Sequence, residues 1–230
     1  MKHKGQKIQS FICHFYLIIL TIIAIFPLVW IILSSIKGKG ELTGNPTGFL
    51  PKTFTLEYFR HVIFDLGFIN NIKNSAGIAL VTTLIAIIVA ALAAYGIVRF
   101  FPKFGSIPYA VWLLVGFFKS VPIGIEEAAR IDGANKIKVF GTVVLPLVAP
   151  GIVATAIYTF INAWNEFLYS LILINDTSKM TVGVALRSLN GSEILDWGDM
   201  MAASVIVVIP SIIFFCLIQN KIAGGLTEGS

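Results

Sequence analysis

Charged side chains are scarce in this chain, yet several of them crowd into one short stretch between Glu126 and Asp132. No His or Cys cluster accompanies this stretch, and the sequence has no Gly-rich phosphate loop ending in Lys-Ser or Lys-Thr. We therefore expect these residues to make ion pairs and protein contacts instead of carrying out bond-making chemistry. Glu126 and Arg130 are four residues apart, so they are able to pair on a helix, which contributes about 0.2–0.5 kcal/mol.

A second polar group interrupts an apolar run and consists of Asn162, Asn165 and Glu166. Their spacing predicts that they share one face of a helix. A charged residue at the centre of a lone membrane helix costs about 3 kcal/mol, so such residues usually face a bundle interior or water. These three residues are candidates for the lining of a translocation path. A polar contact between helices, or a glutamate at the outer membrane interface, is the alternative, and Glu166 has no visible catalytic companion.

Long apolar runs must position both groups. Hydrophobic residues make up 57% of the chain and charged residues 13%, about half the charged fraction of a soluble domain. Each run approaches the roughly 20 residues that cross a bilayer as a helix. A soluble core helix is rarely apolar on every face for this length. We predict an all-α, polytopic membrane protein with four spanning helices, over residues 11–33, 76–98, 151–173 and 200–217.

Basic residues near the ends of spans favour the cytoplasm. Lys2, Lys4 and Lys7 therefore predict a cytoplasmic N-terminus, and Lys221 predicts a cytoplasmic C-terminus. The formal charge of +5 suits basic cytoplasmic loops, and no basic face interleaved with aromatic residues suggests nucleic-acid binding. The two cysteines lie at opposite ends of the chain without metal-ligand spacing, so we predict no metal site.

One apolar piece, residues 107–118, is too short to span. At about 1.5 Å per residue it falls short of a hydrocarbon core of about 30 Å. If it crossed, the basic stretch that follows would lie outside. We predict a half-span or re-entrant segment packed against other helices. The loop at about 119–148 is then cytoplasmic, and the loops at about 37–75 and 175–199 are external.

Within the cytoplasmic loop, Pro122 and Gly133 frame a short helix, because proline suits a first turn and glycine suits the position after the last. Asn135 is able to cap a second, amphipathic helix. The predicted apolar stripe of that helix consists of Ile137, Phe140 and Val144. An ordinary solvated helix is the alternative interpretation of this loop.

Residues 126–146, EEAARIDGANKIKVFGTVVLP, resemble the EAA loop of binding-protein-dependent ABC importer permeases. The family pattern is Glu-Ala-Ala, three residues, Gly, nine residues and Ile-x-Leu-Pro, and Val143 stands in place of Ile. The segments GNPTGFLPKTFTLEYFRHV, ALAAYGIVRF, AWNEFLYSLIL, DWGDMMAAS and GGLTEG resemble the carbohydrate, maltose-permease-like branch. The positions that match the pattern are Glu127, Ala128, Ala129, Gly133, Leu145 and Pro146.

In that family the EAA helix docks in a cleft of a cytoplasmic ATPase dimer, and closure of the dimer on ATP moves the helix. The resemblance implies one type I importer permease domain over residues 1–230, in the plasma membrane of a prokaryote. It implies a second permease, the ATPase dimer, an extracytoplasmic binding protein and a carbohydrate substrate as partners. The chain itself would bind no cofactor and would not be an enzyme. The coupling residues that it implies are Glu126, Glu127, Ala128, Ala129, Arg130, Asp132, Gly133, Val143, Leu145 and Pro146.

Two further features follow from the resemblance. The family's external loop corresponds here to LRSLNGSEILDWGD, whose Asn190, Ser192, Glu193 and Asp196 suit contacts with sugar or protein. An ordinary solvated loop is the alternative interpretation of this segment. Members usually have six spans, whereas this chain lacks the third and the start of the fourth, around RFFPKFGSIPYAV. A shortened membrane subunit that binds its partners without transporting is therefore the alternative function.

Overall fold

The computed structural model describes residues 2–44, 48–101, 108–190 and 197–227, with side chains over 10–44, 48–101, 108–190 and 197–217. These residues form helices joined by short connections, with one isolated bridge between Lys37 and Phe54 and no strand in the described ranges. The α-helices are α1 (Lys2–Ser35), α2 (Glu41–Gly44), α3 (Glu57–Arg60), α4 (Phe68–Phe100), α5 (Tyr109–Lys119), α6 (Ile123–Ile131), α7 (Lys136–Lys138), α8 (Leu145–Leu147), α9 (Ala149–Trp164), α10 (Leu168–Leu173), α11 (Val182–Leu189) and α12 (Trp197–Thr227). Two π-helical turns (His61–Asp65 and Val139–Val144) and a 3-10 turn (Thr177–Lys179) complete the described helices. The predicted all-α class is confirmed.

Three continuous helices are long and apolar enough to cross a membrane, namely Ser10–Ser35 in α1, all of α4, and Trp197–Leu217 in α12. Their large aliphatic and aromatic side chains are mostly exposed, as expected for surfaces that face lipid. Two bent helix pairs bring the number of candidate spans to as many as 5. The α5–α6 pair bends by 70°, and the pair formed by Lys136–Leu147 and α9 bends by 76°. The predicted spans over 11–33, 76–98 and 200–217 are confirmed as helices.

The prediction of one continuous helix over 151–173 is wrong. Helix α9 ends at Trp164, and α10 begins at Leu168. The Glu166 carboxylate accepts hydrogen bonds from the backbone N–H groups of Tyr169 at 2.7 Å and Ser170 at 3.1 Å. These are donors that a helix start leaves without an internal partner, so the side chain stabilises the break. Hydropathy does not reveal this break, because both pieces are apolar.

The short apolar piece forms α5, an 11-residue helix. Its buried side chains show that it packs against other helices, as predicted, and residues 102–107 before it lie outside the described range. Helix α5 turns into α6 through Ser120 and Val121. The buried residues are Val111, Leu114, Val115 and Phe118.

The chain divides into two compact units, the first of which comprises Met1–Asn70 and Val184–Val208. Its connection after α1 is held by the buried Lys37, whose Nζ donates to the Gly48 carbonyl at 2.5 Å and lies 5.3 Å from the centre of the Trp30 ring. The carboxylate of Asp199, at the start of α12, lies 2.9 Å from His61 Nδ1. These contacts tie the buried side chains of Lys37 and Asp199 to other residues of the same unit.

The Glu41 carboxylate organises the loop that follows α1. It accepts a 2.7 Å hydrogen bond from the Lys52 N–H and a 3.3 Å bond from the Gly38 N–H. The Lys52 N–H lowers the pKa of Glu41 below its ordinary value, against the opposing effect of desolvation. Because the pKa of Glu41 is depressed in the folded state, the ionised carboxylate stabilises the folded loop at pH values above the unfolded-state pKa. This stabilisation is lost as the pH falls through the folded-state pKa.

This pKa shift predicts acid opening of the loop. As the pH falls through the depressed pKa of Glu41, we expect the Lys52 amide to exchange with solvent faster than at pH 7 after correction for intrinsic rates. Hydrogen exchange measured by mass spectrometry on the detergent-solubilised protein tests this. In Glu41→Gln the exchange is expected to be fast at both pH values after correction for intrinsic rates. Equal protection of the Lys52 amide at low and neutral pH in the unmodified chain would contradict the role of Glu41.

The second unit comprises Asn71–Gly183 and Ile209–Ser230. Near the N-terminal end of α4, Asn71 Nδ2 donates to the Met180 carbonyl at 3.0 Å and Ser75 Oγ accepts from the Val182 N–H at 2.8 Å. At the other end of α4, apolar side chains of α4 and α5 meet those of the segment after α6. The members of this core include Ala90, Ala94, Leu114, Phe118, Val139, Val144 and Val148.

Candidate functional site: the EAA loop

Helix α6 has sharply defined ends. It follows Pro122 and closes at Gly133, which has a left-handed φ of 86°. The Ala134 N–H donates to the Ala129 carbonyl at 3.0 Å, and the Gly133 N–H donates to the Arg130 carbonyl at 3.1 Å. This bond pair is the Schellman arrangement, which glycine favours because it has no Cβ. The predicted frame of Pro122 and Gly133 is therefore confirmed.

The two adjacent carboxylates of α6 face different surroundings. Glu126 is 6% exposed, whereas Glu127 lies in solvent. Glu126 Oε1 lies 2.6 Å from Arg99 Nε and 2.5 Å from Arg99 Nη2, and Glu126 Oε2 accepts from the Tyr95 hydroxyl at 3.0 Å. The structure thus pairs Glu126 with Arg99, and the predicted partner Arg130 is wrong. Arg99 approaches from the end of α4, where the pair is shielded from water and charged hydrogen bonds are stronger.

The remaining pattern positions of α6 form an exposed surface. The small side chain of Ala128 permits close approach of another protein to this side of the helix. Ile131 is 86% exposed although it is apolar. An exposed large apolar residue flanked by charges is typical of a protein contact. The exposed pattern residues are Glu127, Ala128, Arg130, Asp132 and Gly133, while Ala129 is half-buried.

The segment after Gly133 anchors α6 to the core. Asn135 caps α7 as predicted, because its Oδ1 accepts from the Lys138 N–H at 2.9 Å. The predicted stripe is only partly correct, since Ile137 is 82% exposed. Val144 is buried as predicted and Phe140 is half-buried, whereas Val139 is buried although it lies outside the predicted stripe. A π-helical turn over Val139–Val144 brings residues five apart onto one side. The last pattern residues follow, with Val143 and Leu145 half-buried and Pro146 exposed.

The three candidate path residues do not share a helix face, which corrects the prediction. Asn162 is exposed on α9 and donates to the Tyr158 carbonyl at 2.8 Å. Asn165 is the C-terminal cap of α9 and donates to the Ile161 carbonyl at 2.9 Å. Glu166 lies beyond the end of α9 and caps α10, because the helix stops at Trp164. A periodicity of 3.6 residues applies only within one helix.

Sequence reasoning missed the roles of Tyr95 and Arg99 in this site. Nothing local in the sequence links Arg99 to a residue 27 positions later, so its partner was not predicted. The one available signal was an arginine at the end of a long apolar run. Of the external-loop candidates, Asn190 is exposed after α11, and Ser192, Glu193 and Asp196 lie outside the described residues.

Comparison with known proteins identifies the class. Residues 7–227 match the family described as binding-protein-dependent transport system inner membrane component. The chain belongs to this family, so it is a multi-pass membrane permease subunit of an ABC transporter, a non-enzymatic component. A bacterial ABC transporter involved in the import of the acidic polysaccharide alginate has the same fold, with a TM-score of 0.76 and 20% identity. The match covers 94% of this chain and 97% of that one.

Individual relatives are transport permeases. The chain is 32% identical to the trehalose/maltose transport system permease protein MalG of Thermococcus litoralis, covering 93% of both proteins. It is 29% identical to the trehalose transport system permease protein SugB of Mycobacterium tuberculosis, over 90% of this chain and 92% of SugB. It is 27% identical to the diacetylchitobiose uptake system permease protein NgcG of Streptomyces coelicolor, over 95% of this chain and 88% of NgcG. The MalG alignment spans 261 positions, more than the 230 residues of this chain, so MalG carries residues that this chain lacks.

Proposed function

We propose that this chain imports a sugar or related carbohydrate, driven by a cytoplasmic ATPase that engages α6. The observation that carries the proposal is the geometry of α6, a short helix with an exposed polar and apolar face that is anchored to the core on its other side. Within the segment that resembles the EAA pattern, Glu127, Ala128 and Gly133 are exposed, and so are Arg130, Ile131 and Asp132 between them. The names of MalG, SugB and NgcG support a carbohydrate substrate.

The partners follow from the same proposal. A second permease subunit completes the translocation path, and an extracytoplasmic binding protein delivers the sugar. A dimer of cytoplasmic ATPase subunits binds and hydrolyses ATP, so this chain needs no cofactor of its own. The exposed apolar side chains of α1 and α12 are available to lipid and to the second permease.

The proposed topology has both termini in the cytoplasm. Helices α1, α4 and α12 cross the membrane, and the bent pair that ends with α9 crosses as a broken span. The α5–α6 pair re-enters, because α6 carries Glu126, Glu127 and Arg130 and its 70° bend turns it away from the direction of α5. This arrangement leaves α6 on the cytoplasmic side, where an ATPase is able to reach it.

The break after α9 belongs to the path in this proposal. Asn162 and Asn165 present exposed amide groups at the end of a helix that is otherwise apolar. Amide groups suit hydrogen bonding to sugar hydroxyls. Glu166 contributes indirectly, because its carboxylate holds the start of α10 and thereby keeps the break open.

Reconstitution tests the function. The chain is placed in proteoliposomes with a second permease, an ATPase and a binding protein of a carbohydrate importer from the same organism, and ATP hydrolysis is measured with trehalose, maltose and diacetylchitobiose. We expect at least one sugar to stimulate hydrolysis and to be taken up in the same vesicles. Omission of this chain is the control, and uptake should then stop. Uptake of none of a broad panel of sugars, with an ATPase that remains bound and active, would contradict the carbohydrate assignment.

A further inference from the structure

We propose that the Arg99–Glu126 pair is a clamp that makes α6 and the cytoplasmic end of α4 move together, so that motion of α6 enters the membrane through α4. This inference rests on the proposed function, since it assumes that an ATPase moves α6. It assigns Arg99 and Glu126 as positioning residues. Tyr95 supports them through its hydroxyl.

The clamp has three points of attachment. Arg99 binds the Glu126 carboxylate with both Nε and Nη2, at 2.6 and 2.5 Å. The same Nη2 donates to the carbonyl of Val121, the residue before the N-cap Pro122 of α6, at 2.9 Å. Tyr95, one turn earlier on α4, donates to the other carboxylate oxygen at 3.0 Å. Two successive turns of α4 therefore hold both the first half of α6 and the residue that leads into it.

Burial makes this attachment directional. The side chains of Arg99 and Glu126 are only 13% and 8% exposed. Charged hydrogen bonds that are shielded from water keep a fixed geometry, whereas the apolar contacts of Val139 and Phe118 with α4 do not specify direction. If α6 shifted relative to α4, the pair would separate and leave a buried charge without compensation. The free-energy cost of that unpaired charge opposes the shift.

The chain connections of α6 favour such a lateral link. At its N-terminal side α6 joins α5 through a 70° bend, and at its C-terminal side it ends at Gly133, whose backbone is left-handed. Neither connection continues α6 as a straight helix into a candidate span. Glu126 and Glu127 accordingly have separate tasks, because the first faces α4 and the second faces solvent where an ATPase would bind.

The test compares coupling with docking in the reconstituted transporter. The variants are Arg99→Ala, Glu126→Ala and the charge-exchanged double variant R99E/E126R, with Lys138→Ala as an exposed control in the same loop. Three quantities are measured for each variant, namely the amount of ATPase that co-purifies, the rate of ATP hydrolysis, and the sugar taken up per ATP hydrolysed. Membrane yield and thermal midpoint report folding independently.

In both single variants we expect the ATPase still to co-purify and hydrolyse ATP, while uptake per ATP falls about tenfold. The double variant should recover part of that ratio, and Lys138→Ala should match the unmodified chain. Unchanged uptake per ATP in the single variants would overturn the clamp. A loss of yield, docking and uptake in parallel, without recovery in the double variant, would also overturn it and indicate a structural role. Failure of the unmodified chain to bind the ATPase would overturn the proposed function itself, and the clamp with it.

Discussion

Gly133→Val is expected to reduce ATPase co-purification at least tenfold, about 1.4 kcal/mol in binding free energy, while the chain still inserts in the membrane. Gly133 has a φ of 86°, which is unfavourable for residues with a Cβ and most unfavourable for β-branched ones. A Cβ at this position meets nothing within 4 Å, so the effect arises from backbone strain and not from a clash. Relief of that strain breaks the Schellman bonds at Ala134 and changes the end of the docking surface.

Two matched variants separate strain from bulk. Gly133→Asn should retain most of the binding, because asparagine tolerates the left-handed region better than valine does. Gly124→Ala lies in the same helix with ordinary backbone angles and open space around the added Cβ, so it should bind normally. Quantitative co-purification from detergent extracts measures all three variants. Normal ATPase binding by Gly133→Val would contradict the role assigned to this helix end.

Gly151→Leu is expected to destabilise the second unit severely, by more than the about 1–3 kcal/mol typical of an overpacked core. Gly151 lies in the first turn of α9, and a Cβ built there falls 2.2 to 2.7 Å from ring atoms of Phe117 on α5. Carbon atoms do not approach this closely, so either the ring or α9 must move. Because the bent segment before α9 also holds the EAA loop in the core, we expect lower yield and a lower thermal midpoint.

A suppressor variant makes this prediction specific. Phe117→Ala removes the ring that a side chain at residue 151 would strike, so Gly151→Ala should be less harmful in that background than alone. Gly77→Ala in α4 is the control, since its added Cβ meets nothing within 4 Å. The thermal midpoint of each detergent-solubilised variant, followed by tryptophan fluorescence, provides the measurement. A Gly151→Leu chain as stable as the unmodified chain would refute the close approach of α5 and α9.

Local signals in the sequence predicted much of this fold. Long apolar runs located α1, α4 and α12, because a bilayer selects for length and hydropathy that are visible without a structure. Pro122 and Gly133 marked the ends of α6, since both residues restrict or permit particular backbone angles. The EAA pattern marked the same segment through its residue spacing. Each of these features depends on neighbours within a few residues.

Features that the local pattern leaves open escaped prediction. The Glu166 carboxylate accepts from the first N–H groups of α10, although an apolar run with one acid is equally compatible with an unbroken span. Glu126 has a local candidate partner in Arg130, but Arg99 reaches it from another helix and from a shielded direction. The π-helical turn over Val139–Val144 also buries Val139, which the α-helical expectation placed outside the apolar stripe. The Arg99 contact is tertiary, whereas the break at Glu166 and the π-helical turn are local conformations that an apolar pattern does not distinguish from a continuous α-helix.

The side of the membrane that Glu127 faces is the most direct test of this account. A Glu127→Cys chain, with Cys13 and Cys216 replaced by serine, is labelled in intact cells and in inside-out vesicles with a membrane-impermeant thiol reagent. We predict labelling only in the inside-out vesicles, and protection there when the ATPase dimer is added. Labelling of residue 127 from outside intact cells would contradict the account, because no cytoplasmic ATPase would then be able to reach α6.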